Sequence, residues 1–135
     1  MMETFPMGTL LLLTFVGSAI GGLTRHAVSG FVARRFGERF PTGTMVVNVT
    51  GALVMGIVWT APWSAGPLAQ PSLLRDFLMF GVLGGYTTVS SFTLNTFALL
   101  QDGEWRSAAL HLGGSWLLCL GAVAAGAALG SGWAR

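Results

Sequence analysis

The residues able to do chemistry in this chain are few, and most are neutral. Asn48 closes the run Gly43-Thr44-Met45-Val46-Val47-Asn48, and its amide offers two donors and one acceptor oxygen. A second run, Gly81-Val82-Leu83-Gly84-Gly85-Tyr86-Thr87-Thr88-Val89-Ser90-Ser91-Phe92, couples glycines to hydroxyls and β-branched side chains. Such residues are weak helix formers, and their hydroxyls compete for nearby main-chain groups. A helix passing through them is expected to break. A break frees carbonyl oxygens at the end of one half-helix and N–H groups at the start of the next, which suit a bare cation and an anion respectively. An ion of either sign fits this pattern; a kinked helix whose hydroxyls cap its own backbone is the bland alternative. His111, Ser115 and Cys119 recur every fourth residue, so a helix would put them on one face as a polar strip or a packing seam. Arg25, followed by His26, is the one cation next to these groups, suited to a vestibule or to snorkelling toward headgroups.

The elements that carry these residues follow from composition. Of 135 residues, 53% are hydrophobic and 9% are charged, far below the quarter or so that covers a soluble surface. Residues 4–24, 40–74, 77–101 and 107–134 contain no Asp, Glu, Lys or Arg. Roughly 20 apolar residues of helix cross a hydrocarbon core, so four crossings are expected, over about 9–33, 43–61, 74–100 and 107–129. The chain reads as a single four-helix domain, residues 1–135. Residues 62–71, with three prolines, read as an extended connection at the membrane surface. The amino terminus carries Glu3 and no cationic region, so it does not read as a cleaved signal.

An even number of crossings places both termini on one side. Arg34, Arg35, Arg39 and Arg106 flank the spans on the loop side, against Arg75 and Arg135 on the terminal side. That bias is weak, and insertion in both orientations is compatible with it. A lone four-helix unit has little interior in which to hide a polar route, so a homo-oligomer, most simply a dimer, is expected. Gly17 and Gly21, Gly81 and Gly85, and Gly126 and Gly130 have the spacing that lets helices approach closely, within the chain or against a second copy.

Several function classes drop out. Seven Arg scattered among the spans form no nucleic-acid-reading stripe. No nucleophile has a nearby base, and one Cys with two His is no metal site, so an enzyme is not expected. Apart from Asp76, in the first turn of the third, no Asp or Glu lies in an expected span, which disfavours a proton-coupled small multidrug transporter of similar size. A non-transporting scaffold, its glycines and hydroxyls serving packing only, is the remaining rival.

The two runs quoted above, with Gly21-Gly22-Leu23-Thr24-Arg25, resemble the signature of the Fluc (CrcB) family of small fluoride channels. The resemblance implies an all-α integral membrane protein with the third of four helices broken mid-membrane, assembled as an antiparallel, dual-topology homodimer in a bacterial plasma or inner membrane. It implies passive export of fluoride from the cytoplasm, which lowers fluoride toxicity. It also implies a central structural Na+ held by main-chain carbonyls, which carries over to Gly85 and Thr88. The implied partners are the fluoride ion, a second copy of the chain and membrane lipid. The pore lining carries over to Asn48 and Phe92, with hydroxyls from Thr44, Ser90 and Ser91, and Arg25 falls at the vestibule. Val89 stands where the family has a first Phe and has no electropositive ring edge to offer. His111, Ser115 and Cys119 occupy the fourth-helix polar track, and Asn95 replaces a frequent acid.

Overall fold

The computed structural model describes residues 6–37, 39–61 and 73–132, and they are helical almost throughout. Helix α1 is Met7–Phe36 and α2 is Thr42–Thr60. The third span is composite: α3, Leu73–Asp76, runs into a π-helical segment, Phe77–Leu83, and a single turn α4, Gly84–Tyr86, and then resumes after a break as α5, Val89–Gln101. Helix α6 is Trp105–Gly132. Met7–Phe36, Thr42–Thr60, Leu73–Gln101 and Trp105–Gly132 are each long and apolar enough to cross a membrane. The expected connection at 62–71 lies outside the described residues.

The break occurs where hydroxyls follow glycines. Thr87 (φ −75, ψ 157) and Thr88 (φ −150, ψ 124) are both extended, and α5 starts again at Val89 with Thr88 as its N-cap. The π-helical segment just before it was not expected from the sequence. Together with the turn α4 it packs on α1, and π turns concentrate at functional sites.

Close packing explains the glycines. A Cβ on Gly17 would stand 2.7 Å from Gly81 Cα, and one on Gly21 would run into the Val82 carbonyl. On the other side, Gly126 abuts the Leu53 carbonyl and Gly130 abuts Thr60 Oγ1, joining α6 to α2. All three spaced glycine pairs are thus engaged inside the chain. Of the two expected uses, within the chain or against a second copy, these contacts fill the first; the spacing shows that a helix is close and not whose helix it is.

Outside this seam many large apolar side chains reach the surface. Phe15, Leu23, Phe31, Trp116 and Leu117 are all largely exposed, the surface that lipid covers. The two loops on one side are tied to each other. Arg39 Nη2 lies 3.4 Å from Glu104 Oε1, and Ser107 Oγ donates to Glu104 Oε2 at 2.8 Å. The Ser107 hydroxyl and the Arg39 charge hold the Glu104 carboxyl below the usual carboxylate range, at the amino end of α6 where a negative charge is favoured.

Candidate functional site

The break is held from the second span. Asn48 Nδ2 donates to the Thr88 carbonyl at 2.9 Å, and the Thr88 N–H donates to Asn48 Oδ1 at 2.8 Å. One side chain therefore satisfies both main-chain groups of an extended residue that no helix can serve. One Nδ2 hydrogen of Asn48 is left for another acceptor. Thr88 Oγ1 accepts from the Ser91 N–H at 3.1 Å, capping α5, and lies 3.1 Å from Ser90 Oγ and 3.2 Å from Ser91 Oγ.

Two cavities meet here. The first, about 260 Å³, is lined by Gly22, Arg25, His26, Ser29, Thr44, Val47, Thr88 and Ser91. The second, about 590 Å³, is more apolar; Asn48, Thr87, Thr88, Val89, Phe92, Ser115, Trp116 and Cys119 are among its walls. Thr88 alone, among the described residues, lines both. The groups picked out by sequence thus divide. Arg25, Thr44 and Ser91 belong to the first cavity, and Asn48, Val89, Phe92, Ser115 and Cys119 to the second. Ser90 lines neither and serves the Thr88 hydroxyl cluster. Val89 points outward, 78% exposed.

His111 also lines neither cavity. It is fully buried, with its ring edge-on to Phe40 at 5.8 Å between centroids and tilted against Phe92 at 5.1 Å. Neither imidazole nitrogen meets hydrogen-bonding geometry with a described group, although the Phe92 main chain faces the ring. Ser115, one turn along and 4% exposed, has an equally unmatched hydroxyl. Burying polar groups without partners costs about 1–3 kcal/mol each, so this pair is a store of unused hydrogen-bonding capacity behind Phe92.

The oxygens available to a cation are main-chain ones. In an unbroken helix the Thr88 and Ser91 N–H groups would reach the Gly84 and Thr87 carbonyls; here they go to Asn48 Oδ1 and Thr88 Oγ1. The Gly85 backbone presses on that of Ser18, and the Thr88 carbonyl accepts from Asn48. A cluster of carbonyl oxygens is the donor set that a hard cation takes. Among the described residues no group of three or more His, Cys, Asp or Glu side chains competes for one.

Two partnerships were not foreseen. Thr50 Oγ1 lies 2.9 Å from the Tyr86 hydroxyl, tying α2 to the turn before the break. Asn95 Nδ2 donates to Thr44 Oγ1 at 2.7 Å. The sequence signal for the second was an amide deep in an apolar helix, but its partner is 51 residues away.

Residues 12–127 match the model of a family described as CrcB-like protein, Camphor Resistance (CrcB). The fluoride-specific ion channel FluC 3 of Brucella suis is 49% identical over 115 residues, covering 85% of this chain and 86% of the relative. The fluoride-specific ion channel FluC of Opitutus terrae is 46% identical over 115 residues, covering 85% and 87%. FluC 2 of Nitrobacter hamburgensis, also named a fluoride-specific ion channel, is 48% identical over 118 residues, covering 87% and 94%. With a broken third span pinned by Asn48 and relatives this similar over most of its length, the chain belongs to the CrcB family.

Proposed function

We propose that this multi-pass membrane protein is a fluoride-selective channel that lets fluoride leave the bacterial cytoplasm down its gradient. The names of its relatives support the ion and the passive mechanism. The observation that carries the reading for this chain is the Asn48–Thr88 pair, a rigid seam of neutral donors between two cavities inside a span.

Fluoride is small and strongly hydrated, so its route must return hydrogen bonds as water is stripped and still release the ion. Arg25 raises anion concentration at the first cavity. Thr44 and Ser91 hydroxyls, the remaining Nδ2 hydrogen of Asn48, the ring edge of Phe92 and the Ser115 hydroxyl then take over from water in turn. His111 and Cys119 extend the polar face of α6, and Ser90 steadies the Thr88 hydroxyl. None of these groups carries a fixed charge that would trap the ion. Asp76, at the very start of the third span, is the one acid in the spans, and the lack of a carboxylate deeper in them weighs against the multidrug-transporter alternative.

The working unit in this reading is an antiparallel homodimer of chains inserted in both orientations, with a structural Na+ at the break bound by the carbonyls of Gly85 and Thr88. The Gly85 and Thr88 carbonyls would hold the cation, which would offset their dipoles at the break. The Gly84 and Thr87 carbonyls, relieved of their helical donors, stand beside that pair. Fluoride-electrode recording of efflux from proteoliposomes, with chloride as the competing ion, tests the function: fluoride released far faster than from empty vesicles supports it, and equal retention refutes it.

A further inference from the structure

Six threonines of this chain, Thr24, Thr50, Thr60, Thr87, Thr93 and Thr96, donate their hydroxyls to the carbonyl four residues earlier. That is the ordinary way for a helix in lipid to silence a hydroxyl. Thr44 does not. It lies in the first turn of α2, where the residue four earlier, Phe40, precedes the N-cap Pro41. Its oxygen instead accepts from Asn95 Nδ2 at 2.7 Å, and its own O–H donates to no described group. Thr44 also lines the Arg25 cavity, and Asn95 does not.

We propose that Asn95 is a positioning residue: by occupying the acceptor side of the Thr44 hydroxyl it aims the Thr44 O–H, as a donor, at an anion in the Arg25 cavity. A hydroxyl is both donor and acceptor, and its proton rotates to suit its surroundings. Against an acceptor it turns its proton away from the cavity; against a donor it turns its proton toward it. An amide nitrogen fixes the second state without placing charge beside the route. The geometry supports this on α5 as well, because Thr88, Ser91 and Asn95 follow the i, i+3, i+7 spacing of one helical face, and the first two already line the cavity.

The inference rests on the channel reading, and the two fail differently. Purified wild-type chain in proteoliposomes is compared with Thr44→Val, Asn95→Leu and the double variant, by fluoride-electrode efflux and by thermal melting in detergent. One hydrogen bond to an ion is worth about tenfold or more in rate. Both single variants are expected to lose about that factor, and the double variant is expected to match Thr44→Val alone, with melting temperatures that do not track the flux. Losses that multiply in the double variant, or an Asn95→Leu flux equal to wild type, overturn the proposal while leaving the channel intact. A wild type that releases no fluoride overturns the channel reading itself. Should Asn95→Leu not assemble, Asn95→Ala removes the donor with less bulk: loss of flux with unchanged melting supports the proposal, and wild-type flux refutes it.

Discussion

Asn48 and Thr88 exchange two hydrogen bonds, 2.9 and 2.8 Å long, across 40 residues of sequence, so that a side-chain amide stands in for the backbone a broken helix has lost. The same amide lines the larger cavity. A residue that holds the break together also faces the cavity beside it.

Removing that amide therefore has two readouts. Asn48→Leu leaves the Thr88 N–H and carbonyl unmatched, at a cost of about 1–3 kcal/mol for each buried group. Asn48→Asp keeps an acceptor but sets a carboxylate oxygen against the Thr88 carbonyl. Both variants are expected to abolish fluoride efflux, and both to lower the melting temperature. Efflux and melting equal to wild type would remove Asn48 from both roles.

If carbonyls at the break hold sodium, prolonged dialysis into a sodium-free, bulky-cation buffer lowers fluoride flux or dimer stability, and sodium restores it. Indifference of both to sodium counts against the site.

Val89 is 78% exposed and borders the larger cavity, so a bigger side chain there meets no obstacle among the described residues of its own chain. Val89→Phe supplies a ring edge for an anion. The single-channel or bulk fluoride rate is expected to change while expression and melting stay level; an unchanged rate makes the valine harmless.

Adjacent glycines separate packing from space. A Cβ on Gly21 meets the Val82 carbonyl and stands 2.7 Å from the Tyr86 nitrogen, whereas one on Gly22 meets nothing within 4 Å. Gly21→Ala is expected to destabilise the fold by about 1–3 kcal/mol or more, as overpacking does. Gly22→Ala should melt like wild type.

The spans and the break were legible because composition and local chemistry suffice for them: an uncharged stretch must be helical in lipid, and glycines followed by hydroxyls weaken a helix wherever they stand. The π-helical stretch was not, since nothing in Phe77–Leu83 separates five-residue from four-residue hydrogen bonding; its packing on α1 is tertiary. The strip of His111, Ser115 and Cys119 was visible as a face, but not that Phe40 and Phe92 would enclose His111 and leave its nitrogens unmatched. The Asn95–Thr44 pair illustrates the same limit. Each residue stood out as polar, and only the fold brought them together.

Thr88 is the one described residue that lines both cavities, so the two approach each other at the break. The image-charge barrier that makes a bare ion's passage through about 30 Å of hydrocarbon prohibitive shrinks with the thickness of the dielectric slab. If water fills both chambers, most of the membrane voltage would fall across what separates them at the break. A fluoride ion would then feel nearly the whole electrical driving force where it is least hydrated.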